Sequence, residues 1–484
     1  MSAPALHRPL QISALVALVP AVVALVQLGR LHPDEVFQSL EPANFRAFGY
    51  GIVAWEWQVG LRNWAVPGLF AWILKLAAAL GIDDPLARRA MIAVPQYGLH
   101  VAMLLAVYRL TARRNVPMAL ASIFLVGLYG LVIHFAGRTM GESFSAAFMV
   151  IGLERLDAAR DRPWHVAATG GAMLGLAVVT RYGSSVVVVA ALVWLIVQRR
   201  TQTPPSTSLG VSGAGAPPST SLGISGAGAG KWTVLLFTVA GGALVAAALG
   251  ALDWATWGAP FHSLRKYVDF NLLSGEAAAQ FGSDPAWYYL PLLGWLVLWA
   301  WPGLVLGLVR RAEGASIFAF CGLVYGVAIT LTPHKEARFL YPGLVLLLVA
   351  ATPPWLAFLG RLSGSRARML IGASALAAVA VVFFPSPYRP ERPEQFRLVL
   401  KAGREATGLV IVNEGVWGSP GFFYLGKNIP WFPCDFPEDP RFQQAMATPQ
   451  FNRAVIWDDR ALANLEAAGF KVLETQGPAK LLGR

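Results

Sequence analysis

Charge is what this sequence has least of. Only 14% of its 484 residues are Asp, Glu, Lys or Arg, where a soluble domain carries about a quarter. With 56% hydrophobic residues and a mean hydropathy of +0.52, that scarcity argues for an integral membrane protein. Cysteine is also nearly absent. Cys321 falls within an apolar run and Cys434 in a polar C-terminal region, so neither a disulfide framework nor a zinc site is indicated. The histidines His134, His165 and His262 are scattered and there is no DxD or HxxH pair, so no metal site and no cofactor are expected. Acidic residues are outnumbered, 27 against 39 basic, for a formal net charge of +12. A nucleic-acid partner is not the reading, because the basic residues sit in short clusters at the ends of apolar runs, where the positive-inside rule places them.

Apolar runs of near-spanning length fall at 10–28, 90–108, 117–136, 143–157, 164–180, 184–198, 232–251, 288–308, 315–332, 339–358 and 369–384, and about 20 residues cross a bilayer core. The expectation is an all-α polytopic membrane protein of about eleven transmembrane helices, the first being a retained helix rather than a signal peptide. The clusters Arg109/Arg113/Arg114, Arg155/Arg160/Arg162, Arg199/Arg200, Arg310/Arg311 and Arg361/Arg366/Arg368 fall on alternate loops, which puts the N-terminus in the cytoplasm and the C-terminus outside. The segment 66–80 is apolar but short, with Pro67 and Lys75. It is read as lying at the outer surface or re-entering. The loops 29–65, 137–142, 252–287 and 333–338 then all face outward and hold the isolated charges.

Residues 201–231 contain a tandem repeat, Pro204 to Ala216 copied from Pro217 onward. Its Pro, Gly, Ser and Ala cannot build a core, so it reads as a flexible cytoplasmic linker within a membrane domain 1–384. From 385 to 484 a small α/β domain on the outer side is expected. Leu409–Asn413, Phe422–Leu425 and Ala454–Trp457 read as strands and Arg460–Ala468 as a helix.

Chemistry-bearing residues concentrate in two places. His334-Lys335-Glu336-Ala337-Arg338-Phe339-Leu340-Tyr341-Pro342 places potential cations at a membrane boundary, where ionisable groups are costly and need a partner or a task. Arg and Lys there suit a phosphate. The first outer loop runs His32-Pro33-Asp34-Glu35-Val36-Phe37-Gln38. Asp34 either caps a short loop helix after Pro33 or serves as a general base. Arg181, isolated between apolar runs, is a candidate site residue. Arg265 and Lys266 suit either a phosphate or lipid headgroups. Trp55 and Trp57 offer flat aromatic faces to a ligand, or belong to an interfacial belt.

These blocks resemble glycosyltransferase family 22, the polyprenyl-phosphate-mannose-dependent mannosyltransferases of the GT-C membrane fold. HKE-x-RF-x-x-P at 334–342, HPDE-x-x-Q-x-x-E at 32–41, Phe48-Gly49-Tyr50-Gly51 leading to Trp55-Glu56-Trp57, and Arg62 followed by Pro67-Gly68 carry the resemblance. The region 253–289 is similar too, though Trp254, Trp257, Phe281 and Ser283 depart from the usual residues. The resemblance implies a mannosyl transfer, with inversion and without metal, from a lipid-linked mannosyl phosphate donor to a glycan or glycolipid acceptor in the membrane. Asp34 is then the base, with Glu35 as neighbour or substitute. His334, Lys335, Arg338, Arg181 and Lys266 would hold the donor phosphate. His32, Glu56, Trp55, Trp57 and Tyr341 would serve the acceptor or the loop. The preference for Arg over Lys suits a bacterial inner membrane with a periplasmic site; the alternative is the ER membrane with a lumenal one. A polytopic transporter or lipid flippase is the rival, although no helix repeats are evident.

Overall fold

A computed structural model describes residues 4–114, 118–159, 162–197, 230–296, 299–309, 315–380, 390–412, 415–435, 437–457 and 459–484. The repeat 204–229 lies outside them. Within the described residues every predicted apolar run falls mainly on helix, while 117, 198, 297–298 and 381–384 of those runs lie outside them. Two are interrupted. The run 117–136 divides into Ala121–Gly127 and Gly130–Phe135, with Tyr129 extended between them, and its two flanking glycines make helix continuation unfavourable there. The run 288–308 divides into a 3₁₀ turn, Pro291–Trp295, and the helix Ala300–Val309. Among the described residues four helices are long and apolar enough to cross a membrane, His7–Val26, Pro85–Ala112, Lys231–Trp257 and Ala337–Leu359, and five shorter apolar helices accompany them.

The helix Tyr341–Leu359 is the centre of the bundle. It is apolar on all sides, as a helix enclosed by others must be, and 83% of its most apolar window is buried, against 22% for Lys231–Trp257. It packs on Ala300–Val309, Ala315–Thr330 and Gly141–Ala158. Lys231–Trp257 instead leaves Trp232, Leu236, Val239 and Leu244 exposed, a surface suited to lipid. Its other face meets Trp164–Thr180 at glycine contacts. A Cβ on Gly171 would come within 1.8 Å of the Thr238 carbonyl oxygen, and one on Gly241 within 1.9 Å of that of Ala168, so only glycine permits this backbone approach.

Charges sort to opposite ends. Arg113 pairs with Glu154, and Arg113 and Arg114 with Asp157 at 3.0 and 3.2 Å, which brings two of the Arg-rich loops to one end. The segment 66–80 forms the helix Ala65–Ala79, about 22 Å long at 1.5 Å per residue, short of the roughly 30 Å bilayer core. It begins beside Asn63, which bonds Tyr182 and the Val179 carbonyl. It leads to Pro85, which abuts Gly426 of the C-terminal domain. Both ends therefore lie on one side.

The C-terminal region holds a five-stranded sheet, β1 (Leu409–Val412), β2 (Trp431–Cys434), β3 (Arg453–Ile456), β4 (Lys471–Gln476) and β5 (Ala479–Gly483), in the order β2-β1-β3-β5-β4. β1 runs parallel to β2 and β3, and β5 antiparallel to β3 and β4. All four β1 residues are buried, because Leu398, Val399 and Ala402 cover one face and Phe442 and Leu465 the other. Phe422–Leu425, expected as a strand, is instead part of a short helix, Gly421–Leu425, between two glycines of positive φ. Its β-favouring aromatic composition is overridden by docking against the membrane domain.

Candidate active site

The loops 29–65, 137–142, 252–287 and 333–338 meet at one end of the bundle around a cavity of about 680 Å³. The first helix is followed by a one-turn entry and then six residues of π-helix, Glu35–Leu40, a form enriched at functional sites. Asp34 occupies the cap position, but its side chain makes no capping hydrogen bond, so the capping reading is set aside. Its carboxylate turns to the cavity instead. Oδ2 meets Nη2 of Arg338 at 2.6 Å and Nε2 of Gln38 at 2.5 Å, and Oδ1 lies 3.2 Å from Nδ1 of His32. Thr139 Oγ1 donates to the Glu35 carbonyl and Ser39 Oγ to the Thr139 carbonyl, which fixes this loop to the turn 137–142.

The segment 334–338 is extended at Glu336 and then enters the 3₁₀ turn Ala337–Leu340. His334 and Arg338 therefore reach the cavity while Lys335 does not. The Lys335 ammonium turns inward and donates to the carbonyls of Asp284, Thr332 and Pro333 at 2.9, 2.6 and 3.2 Å. Glu336 accepts from Arg338 Nε at 2.5 Å and lies 3.2 Å from His32 Nε2 and 3.0 Å from His334 Nε2. Asp34 and Glu336 are thus linked twice, through Arg338 and through His32. Arg181 pairs with Glu142, reaches Tyr325 Oη at 3.3 Å and lies over the Phe339 ring at 4.5 Å. Arg338 is 3.7 Å from the same Glu142.

A second arm holds Glu56, which accepts from Arg62 at 2.6 Å and from Gln38 at 3.3 Å. Its Oε2 is buried with no partner among the described residues. Trp55 lies against Phe270 and Phe281, and Phe281 against His334, forming an aromatic wall. Trp57 lines the cavity while donating to the Phe37 carbonyl. A buried chain from Asn63 through Tyr182 and Ser263 to Asp253 holds the far loop, with Ser263 donating twice to Asp253.

Of the residues singled out from sequence, Asp34, His32, Trp55, Glu56, Trp57, Arg181, His334 and Arg338 line the cavity. Glu35, Lys335, Lys266 and Tyr341 do not. Glu35 accepts from the Leu31 amide at 2.5 Å and faces Arg138 at 3.6 Å. Lys266 is exposed. Tyr341 is a core residue stacked on Phe135 at 4.3 Å. Arg62, Glu142, Glu336 and Tyr325 join the cavity without having been singled out as site residues. Asp34, Glu56, Glu142 and Glu336 face Arg62, Arg181 and Arg338, so carboxylates outnumber guanidiniums. Burial pushes the Asp34 carboxyl up, but the charges of Arg338 and His32 outweigh it and hold the group well below the usual carboxylate range. Glu336 is held low in the same way, burial being outweighed by Arg338, His334 and His32.

The chain matches the model of the Alg9-like mannosyltransferase family over residues 11–386. It is 30% identical over 329 residues to GPI mannosyltransferase 3 of Yarrowia lipolytica, covering 66% of this chain and 57% of that protein. It is 25% identical over 344 residues to mannosyltransferase APTG1 of Arabidopsis thaliana, covering 68% and 55%. The chain thus spans little more than half the length of these relatives. In fold it is similar to ArnT from Cupriavidus metallidurans in the apo state, with a TM-score of 0.59 at 14% identity and 97% and 96% coverage. It is also similar to the oligosaccharyltransferase AglB from Archaeoglobus fulgidus, with a TM-score of 0.52 at 12% identity and 96% and 71% coverage. A family match over more than three quarters of the chain, together with this bundle and its cavity, makes the chain a member of the Alg9-like mannosyltransferase family, with the GT-C membrane fold.

Proposed function

We propose that this protein moves a mannosyl group from a polyprenyl-phosphate-mannose donor to a hydroxyl of a glycan or glycolipid acceptor, with inversion. The observation that carries it is the meeting of Asp34 with Arg338 at 2.6 Å in the cavity, since a base and a phosphate-binding fork are the two groups this transfer needs side by side. In the transfer Asp34 takes the acceptor's hydroxyl proton as the new C–O bond forms at the anomeric carbon. The bond from that carbon to phosphate oxygen breaks and its electron pair leaves with the phosphate. Arg338, with His334 and Arg181, offsets the charge that gathers there. Glu56, which lines the cavity, binds an acceptor hydroxyl. Lys335 shapes the phosphate loop through the carbonyls it gathers rather than touching phosphate itself.

Arg338 serves both groups. A phosphate drawn to it competes with Asp34 for the guanidinium, and the less of that charge Asp34 feels, the greater its proton affinity. Donor binding therefore strengthens the base.

In this reading the site faces the non-cytoplasmic side, as the Arg clusters on alternate loops suggest. That is the periplasm of a bacterial inner membrane, which the Arg-rich composition suits, or the ER lumen, where the eukaryotic relatives point. Residues 385–484 form an extracytoplasmic domain beside it. Family membership leaves the transporter alternative without support. The test is the full chain in lipid nanodiscs, given synthetic polyprenyl-phosphate mannose and glycolipid acceptors, with products read by mass spectrometry and no ion gradient. A gain of one hexose on an acceptor is expected. No product from any mannosyl-phosphate lipid, with transfer from a nucleotide sugar instead, would refute the proposal.

A further inference from the structure

The cavity wall is completed from outside the region that defines the family. Trp417 belongs to a short helix, Gly415–Gly418, of the C-terminal domain, beyond the family match at 11–386. Its indole lines the cavity that holds Asp34 and Glu56 and is 37% exposed. It is not loosely placed. Its ring stands edge-on to Phe37 with centroids 5.0 Å apart, and Phe37 is fully buried three residues beyond Asp34. Its carbonyl accepts a hydrogen bond from Arg30, which is itself joined to the domain by a backbone bridge to Glu391.

The neighbouring helix is anchored as firmly. Glu41 accepts from the Phe423 amide and the Ile52 amide, both at 2.7 Å, and the Tyr424 ring stands edge-on to Phe396 at 4.9 Å. Part of the Trp417 surface stays open although Phe37 and Arg30 hold the residue in place. An aromatic ring and a carboxylate that line one cavity, as Trp417 and Glu56 do, are the pairing that recognises a pyranose: apolar C–H face on the ring, hydroxyls on the carboxylate.

We propose that Trp417 is the acceptor-sugar contact of this site, so that the C-terminal domain sets acceptor choice. The inference rests on the acceptor reading of the cavity. The indole stacks on the hexose that receives the mannosyl group, and Arg30 and Glu41 hold the domain in the position that presents it.

The experiment uses the full chain in nanodiscs and methyl α-mannopyranoside as the sugar probe, with affinity from saturation-transfer NMR. Undecaprenyl phosphate is the lipid-phosphate probe, read by thermal shift. Trp417→Ala is expected to weaken the sugar probe about fivefold, the ordinary worth of one aromatic face, and to leave the lipid-phosphate shift unchanged. Trp417→Phe, which keeps a ring, should stay within about twofold of the parent protein. Unchanged sugar binding in Trp417→Ala would overturn the proposal, as would absence of sugar binding by the parent protein. Equal loss of both probes would also overturn it, marking Trp417 as packing support for the Asp34 loop. The transferase reading fails separately: a parent chain that binds the sugar through Trp417 but makes no product from polyprenyl-phosphate mannose sinks that reading alone.

Discussion

Replacing Arg338 by lysine keeps the charge and removes the fork, and the structure says what that costs. The guanidinium reaches Asp34 through Nη2 at 2.6 Å, Glu336 through Nε at 2.5 Å and Glu142 through Nη1 at 3.7 Å. A single ammonium cannot hold Asp34 and Glu336 in this geometry and also meet a phosphate. At least one charge-assisted hydrogen bond is lost, worth about 1.5–3 kcal/mol, so kcat/KM for the donor should fall roughly ten- to a hundredfold. Arg338→Ala removes the charge as well and should cost about a thousandfold, near the upper value for one oxyanion-stabilising donor. It also leaves Asp34, Glu336 and Glu142 with less compensation, so a thermal-shift measurement must accompany the kinetics. The assay is steady-state transfer in nanodiscs with donor and acceptor varied in turn. Because charge builds on the phosphate as its bond to carbon breaks, the loss should fall on kcat and donor kcat/KM together. If Arg338→Lys turns over normally, or only the acceptor KM rises, Arg338 does not hold donor phosphate and the reasoning is wrong.

Other outcomes follow from the same geometry. The Arg338 charge is the largest influence keeping the buried Asp34 carboxyl low, so in Arg338→Gln the acid limb of the residual kcat/KM profile should move to higher pH; an unmoved limb would mean that Asp34 is not the titrating base. Burial pushes the Glu41 carboxyl up to about 7 against three backbone amides. A folded-state value raised above the unfolded one contributes stability present below the unfolded carboxylate range and lost as pH rises through about 7. Hydrogen exchange at the Phe423 amide, corrected for intrinsic rates, should therefore show weaker protection at pH 8 than at pH 5.5, and equal protection would contradict this. Gly421 has φ +76° and a Cβ there would lie 2.5 Å from Glu41 Oε1, so Gly421→Ala should destabilise the domain contact by about 1–3 kcal/mol, read as faster proteolytic release of the C-terminal domain. A tag after Arg484 should be reachable from outside and one at residue 215 from the cytoplasm; both on one side would overturn the orientation.

Hydropathy located the helices because a bilayer demands long apolar runs, and it erred where glycines break them, as at Tyr129. The two motif blocks pointed to Asp34 and Arg338, and the fold brings them together from residues 304 apart in sequence. What residue types could not convey was the direction of each side chain. Lys335 and Arg338 look alike as cations, yet an extended residue at Glu336 sends one to buried carbonyls and the other to the cavity. The charge balance was hidden for a related reason, since Asp34 and Glu142 compete for Arg338 only once separate loops converge. Tyr341 reads as a motif residue but is needed by the core, where it stacks on Phe135. The C-terminal sheet was half legible: β1 and β3 are continuous apolar runs, whereas β4 is mostly exposed and carries no such pattern. Trp417 could not have been singled out, because nothing local ties it to Phe37.

The central claim is that Asp34 is the base of a mannosyl transfer, and Asp34→Asn tests it most directly. The amide keeps the size and much of the hydrogen bonding to Arg338 and Gln38 but cannot take a proton. Turnover of polyprenyl-phosphate mannose at saturating acceptor should fall by about two to four orders of magnitude, with the thermal shift produced by undecaprenyl phosphate preserved. Turnover within a few-fold of the parent protein would contradict the account and move the role to Glu56, the cavity carboxylate whose Oε2 has no partner among the described residues.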